Sequence, residues 1–259
     1  MTVLAQNKIE IAEAFGRAAM NYDRHAEFQR DVVERLLDYL PDDLSGIKAL
    51  DVGSGTGYFA EKLLQRGAEV TCLDISSAML SQAEQRLGAS AQYCLADAES
   101  IPFDDNDFDL VVSSLAVQWC DDLTKPLIEM QRVCAFGGRV LFSTLAEGSL
   151  FELKQAWRCI DDYQHVNTFL SEKQIKFALA QSSTSHYRID FPKITLWYTS
   201  ALQLMRDLKG IGATRVSGRS AGLTKPSILS RVDGHYRELF QQNQQLPATY
   251  RVCLGIIDK

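Results

Sequence analysis

The chain lacks paired cysteines. Six occur among 259 residues, at positions 72, 94, 120, 134, 159 and 253, and no two stand at C-x-x-C spacing. That spacing argues against a thiolate metal site and against a disulfide framework; several of the six sit inside apolar, strand-like runs, as reduced core thiols of a cytoplasmic protein would. The four histidines share no metal-ligand spacing, so no metal is expected. Long apolar runs are missing too. Stretches such as "LVVSSLAVQWC" (110–120) are far shorter than the roughly 20 residues that span a bilayer, so no membrane partner is expected. The opening "MTVLAQNKIEIAEAFG" has polar residues where the apolar centre of an export signal would lie. Positive charge is in deficit, with 27 Lys and Arg against 33 Asp and Glu and a formal charge of −6. A broad nucleic-acid-binding surface is therefore not expected.

What is present is a strand–helix alternation over an ample apolar content of 46%. Residues 6–20 and 24–40 have helical spacing, the second through Phe28, Val32, Val33, Leu36, Leu37 and Leu40, and Pro41 ends it. Short apolar strands are expected at 47–52, 68–74, 91–97, 108–117 and 139–145. Helices are expected after the first of these, at 76–87 with Ser76 as N-cap, and at 123–135. Strands alternating with helices predict an α/β fold, a parallel sheet covered on both faces. After about residue 148 the pattern changes. Helical stretches near 149–162, 171–181, 199–209 and 226–240 surround "SHYRIDFPKITLWY" (185–198), which alternates like a strand, and "TYRVCLGIID" (249–258) reads as a last strand. The expected organisation is an N-terminal helical lid (1–44), a ligand-binding core (45–148), and helical cap insertions with the last strands (149–259), all in one domain.

The first strand runs into "ALDVGSGTGYFAEKLLQRGAEVTCLD" (49–74). A dinucleotide fingerprint, G-x-G-x-x-G, would place its third glycine at position 58, which is Tyr58. The pattern here is D-x-G-x-G-x-G, with Ser54 between the first two glycines. Asp51 ends the strand, at the crevice where ligands of such sheets bind. A carboxylate there repels a pyrophosphate and favours a ligand with positive charge, such as an α-amino group. S-adenosylmethionine, with its sulfonium and ammonium, meets that requirement. Gly53, Gly55 and Gly57 let the backbone approach its aminoacyl end. Asp74 ends the second strand, where it can accept both ribose hydroxyls, each charge-assisted bond contributing roughly 1.5–3 kcal/mol. Asp97 ends the third, where it can accept from the adenine amino group beside the Ala98 amide. Ile75 and Met79 are apolar candidates to sandwich the ring, and Gln118 and Trp119, after the fourth strand, are expected to line the crevice.

Three acids, each ending one of three successive strands, resemble the class I S-adenosylmethionine-dependent methyltransferases over about residues 45–145. The resemblance implies a Rossmann-like, seven-stranded, mostly parallel sheet with a final antiparallel hairpin. The D/N-P-P-Y/F motif of enzymes that methylate DNA amino groups is absent, the corresponding stretch reading "SSLAVQWC". Charge is concentrated between Lys193 and Lys225, where Arg206, Lys209, Arg215 and Arg219 also lie and only Asp207 opposes them. Such a patch on an acidic protein suits an acidic partner or an anionic substrate group; a solvated helix face with a basic loop is the alternative.

"FGRAAMNYDRHAEFQ" (15–29), "LAVQWC" (115–120), "HVNTFL" (165–170) and "MRDLKGIGA" (205–213) together resemble the malonyl-acyl-carrier-protein O-methyltransferases of biotin synthesis. The resemblance implies esterification of the free malonyl carboxylate on acyl carrier protein, with S-adenosylmethionine as cosubstrate. A malonyl carboxyl has a pKa near about 4, so it is already ionised and needs alignment more than a general base. Arg206 is the candidate clamp for that carboxylate, since its planar fork suits one. Lys209 lies three residues on, on the same helix face, so that one of the two would hold the malonyl group while the other meets phosphate or an acidic helix of the carrier; two surface charges are the alternative. Tyr22 is the candidate hydroxyl to position substrate or close over the methionine moiety. His165 and Asn167 are candidates to face the acyl chain, with capping or core roles as the alternative. Other readings are a small-molecule acceptor, such as a quinone precursor or a free dicarboxylic acid, and a non-catalytic S-adenosylmethionine-binding protein.

Overall fold

The computed structural model of the chain describes residues 6–182, 186–213 and 225–259. It opens with α1 (Gln6–Ala18), a 3-10 turn (Ala19–Asn21), the single-turn α2 (Tyr22–His25) and α3 (Glu27–Leu37). The two unbroken helices expected over 6–20 and 24–40 are thus interrupted. Ala26, between α2 and α3, leaves helical geometry at φ −98° and ψ 30°, and the chain turns there. β1 (Lys48–Val52), α4 (Tyr58–Gln65), β2 (Glu69–Asp74), α5 (Ser77–Leu87), β3 (Ala91–Leu95), β4 (Phe108–Ser114), α6 (Thr124–Val133) and β5 (Cys134–Leu145) follow. The remainder is α7 (Phe151–Arg158), α8 (Glu172–Gln181), β6 (Tyr187–Asp190), β7 (Lys193–Tyr198), α9 (Ala201–Gly210), α10 (Pro226–Phe240) and β8 (Leu246–Asp258).

The sheet order is β3-β2-β1-β4-β5-β8-β6, with β7 also on β8. β1 to β5 pair in parallel, and β8 runs antiparallel to β5, β6 and β7. The mostly parallel sheet expected is present, but with eight strands rather than seven, because its last position holds two. β6 pairs with residues 254–257 of β8 and β7 with residues 246–251. The break falls at Phe191-Pro192, because proline has no N–H to give a ladder; the Pro192 carbonyl still accepts from Val252 N at 3.0 Å.

Alternation along the central strands divides the core into two layers. Ala49, Leu110, Val112 and Leu141 join the layer that includes residues of α3, α4, α7 and α10. Leu50, Val52, Val111, Val140 and Phe142 join the layer under α6 and α8. α3 buries Phe28, Val32, Val33, Leu36 and Leu37, each contributing roughly 1.5–3 kcal/mol, so it is fixed to the sheet. α1 buries only Lys8, Ala14 and Ala18, and much of its hold on the rest is polar. The reversal of strand order between β1 and β4 leaves a crevice at their carboxyl ends.

Candidate active site

Asp51 lies on β1, one residue before its end, and is 1% exposed. Its Oδ2 has no hydrogen-bond partner among the described residues. Burial, then the charge of Asp74, push its carboxyl up to about 7, against the Ala60 amide. Asp74 ends β2 and accepts from Gly55 N at 2.9 Å and Ser76 N at 2.8 Å. Burial raises its carboxyl as well, opposed by the amides of Ser76, Gly55 and Ile75. The glycine loop is pinned across β2, since Gly53 N and Ser54 N both donate to the Leu73 carbonyl, at 2.7 and 3.0 Å. At Gly53 (φ +73°) a Cβ would fall 2.3 Å from the Cβ of Ala116, whereas at Gly55 (φ +54°) it would meet nothing within 4 Å. The first glycine is needed for close packing; the second leaves open space beside Asp74.

Three neighbouring cavities lie here, and Tyr22 lines all of them. The first is floored by Asp74, Ile75, Met79, Asp97 and Ala98 and roofed by Lys8, Ile11 and Phe15 of α1. The structure thereby brings together most of the residues expected for an adenosyl group. The next holds Asp51, Ser54, Gly53 and Gly55 with Arg30 and Gln29, and suits an aminoacyl end. The last is mostly apolar, with Phe28, Leu150, Phe169 and Leu208 facing Gln118, His165 and Asn167. Burial, then the charges of Asp74 and Asp23, keep the Tyr22 phenol protonated well above its ordinary range. Leu115, shared by the first and last cavities, has φ +51°, a conformation that costs a non-glycine residue about 1–3 kcal/mol and concentrates at functional sites. Its N–H is held by Ser143 Oγ at 2.9 Å.

Several expected placements differ. Gly57 is the N-cap of α4 and lines none of these cavities; a Cβ there would press on Ala83 and Leu87 at 3.1 Å, so it serves packing between α4 and α5. Gln118 lies in the apolar cavity rather than the first one. Its Nε2 donates to the Leu115 carbonyl at 2.6 Å, and its Oε1 has no partner among the described residues. One oxygen of Asp97 accepts from Lys8 Nζ, and the other from Glu99 N at 3.0 Å. Burial pulls the Lys8 ammonium down, and its bonds to Asp97 and Glu99 outweigh that and hold it above its ordinary value. Arg206 and Lys209 are exposed and line no described cavity, while Leu208 and Ile211 do. The cause is helical phase: Leu204 is buried, residues 204, 208 and 211 share a face, and Arg206 falls on the opposite one. The expected carboxylate clamp is therefore not formed by Arg206 in this geometry. Arg215 and Arg219 lie outside the described residues.

Sequence reasoning missed Lys8, although Lys8, Ile11 and Phe15 stand at helical spacing on one face of α1. It also missed the contact between His25 Nδ1 and Asp207 Oδ1, at 2.7 Å, which joins α2 to α9. Among the described residues no cluster could hold a metal ion, and no helix is long and apolar enough to cross a membrane.

Residues 50–142 match the family model described as a methyltransferase domain. The chain is 42% identical over 254 residues to the malonyl-acyl-carrier-protein O-methyltransferase of Salmonella typhimurium, covering 98% of each chain. The enzyme of that name from Serratia marcescens is 43% identical, over 97% of this chain and 96% of the other. This chain belongs to the malonyl-acyl-carrier-protein O-methyltransferase family. Another relative, the biotin biosynthesis bifunctional protein BioHC of Cellvibrio japonicus, is 39% identical over 98% of this chain, which spans 51% of that protein. Among solved structures, phosphoethanolamine N-methyltransferase 2 of Haemonchus contortus superposes with a TM-score of 0.63 at 18% identity, covering 99% of this chain and 60% of the other. A putative methyltransferase of Bacillus halodurans gives 0.61 at 14%, over 88% and 98%. These likenesses establish the fold of this family member and carry no more than that.

Proposed function

We propose that this chain methylates the free carboxylate of a malonyl group carried by acyl carrier protein, using S-adenosylmethionine and yielding the methyl ester that primes biotin synthesis. The observation that carries the reading is Asp51, a buried carboxylate with an unpartnered oxygen, beside a cleft that shares Tyr22 as a wall with a second, apolar cavity. A buried carboxylate is stable only when paired, and the ammonium of the cosubstrate provides the pair. The open space beside Gly55 and Asp74 suits ribose hydroxyls, and Ile75 and Met79 suit the base.

The bound cosubstrate supplies an electrophilic methyl group on sulfur. The chain's own residues then have two tasks. Phe15, Tyr22, Leu115 and Trp119 border both the adenosyl and the apolar cavity, so they govern how an acyl group in one meets a methyl donor in the other. The same rings exclude water. Alignment of this kind contributes on the order of 7–11 kcal/mol. The exposed Arg206 and Lys209 of α9, with the exposed Lys193 and Lys225, then serve the acidic carrier and its phosphate, and Arg215 and Arg219 belong to the same basic stretch of sequence.

The test is mass spectrometry of malonyl-carrier protein after incubation with the chain and S-adenosylmethionine. The expected result is a gain of one methyl group on the malonyl unit. An unchanged carrier would overturn the reading. Equal turnover of free malonate would instead assign the acceptor to small molecules.

A further inference from the structure

The apolar cavity must take an anion, yet among the described residues neither lysine nor arginine lines it. Its polar side chains among the described residues are Tyr22, Gln29, Gln118, Trp119, His165, Asn167 and Tyr250. The amides carry no charge, and burial raises both phenols, so they stay neutral. His165 alone among these can be cationic.

Its surroundings are built for a fixed ring. Nε2 lies 2.8 Å from Asp161 Oδ1, and the His165 side chain is 9% exposed. The imidazole stacks on Trp157 with 3.6 Å between centroids and 9° between planes. A neutral ring that donates to Asp161 through Nε2 has only an acceptor at Nδ1, which a carboxylate cannot use. Only the protonated ring donates from both nitrogens, one to Asp161 and one to an anion in the cavity.

We propose that His165, as an imidazolium oriented by Asp161 and Trp157, binds the malonyl carboxylate in this cavity, while the cations of α9 face the carrier. The proposal rests on the function argued above. It separates two roles: anion binding inside the cleft falls to a histidine, and docking falls to the surface.

The test compares wild type with His165→Gln and His165→Phe, the latter keeping a ring on Trp157. Each is assayed for KM with malonyl-carrier, for inhibition by the methyl-ester carrier, which has the same arm without the charge, and for S-adenosylmethionine affinity by calorimetry. Both variants should raise the substrate KM by about tenfold or more, the loss of one charge-assisted hydrogen bond. The inhibition constant of the ester and the cosubstrate affinity should change by less than about twofold. Asp161→Asn should raise the same KM by a smaller factor. An unchanged substrate KM in the His165 variants would overturn the proposal. So would an equal loss of acid and ester, which marks a packing role. A wild-type protein that adds no methyl at all overturns the functional reading first, and this inference with it.

Discussion

Asp51 is where folding and binding pull in opposite directions. Its carboxyl is raised from 3.8 to about 7 because burial penalises the charge and Asp74 repels it. The folded chain therefore holds a proton there that the unfolded chain has lost. Between about pH 4 and pH 7 the folded state binds more protons, so stability falls as pH rises, and above about 7 the full penalty, on the order of 4 kcal/mol, is present. A cationic ligand reverses the balance by favouring the ionised form. Asp51→Asn is thus expected to raise the melting temperature of the ligand-free protein at pH 8, measured by calorimetry, while weakening S-adenosylmethionine binding. In the wild type, affinity should climb from pH 6 and level off above about 7, because below that pH the ligand must displace a proton; the Asn variant should lose this slope. A flat wild-type profile would show that Asp51 does not meet the ammonium.

At the scale of elements, the informative contact is between α2 and α9. A Cβ on Gly210 would lie 2.1 Å from the His25 ring, and His25 also pairs with Asp207 one turn earlier on α9. Alanine in a helix is better than glycine by up to about 1 kcal/mol, so Gly210→Ala stabilises unless the contact matters. The expected result is instead a net loss of about 1–3 kcal/mol in denaturant unfolding, from overpacking, together with a lower kcat because α2 carries Tyr22. The double variant Gly210→Ala, His25→Ala should lose less than the sum of the singles. This contact spans 185 positions, and nothing in the sequence announced it. The same holds for Lys8 with Asp97 and Glu99. The acids and the glycine loop were legible because each acid lies, and the loop begins, within two residues of a strand's end, which local pattern reveals. The outward face of Arg206 follows from the phase of Leu204, Leu208 and Ile211, whereas the clustering of charge alone carries no information about which face it occupies. The split of one edge strand into β6 and β7 was marked by Pro192, yet the alternation of residues 185–198 continued through it.

For the molecule as a whole, the proposed docking of an acidic carrier is a question of how charge is arranged. The chain is acidic, at −6, yet Arg206, Lys209 and Lys225 are exposed, on α9 and at the start of α10. Leu208 of the same α9 and Ile211 just past its end line the apolar cavity, so a carrier docked on the outer face, as proposed, would sit at the rim of the site its arm must reach. Rim charges act mainly on the rate of association and are screened by salt, with a Debye length of about 10 Å at 0.1 M. KM for malonyl-carrier should therefore rise with ionic strength. Arg206→Glu combined with Lys209→Glu should raise it at low salt by about tenfold and flatten or reverse its salt dependence. Malonyl-pantetheine, which presents the arm without the carrier, should be turned over equally by the variant and the wild type, and cosubstrate affinity should not move. If the double variant instead loses malonyl-pantetheine turnover, the helix acts inside the cleft after all, and docking must be sought on another face.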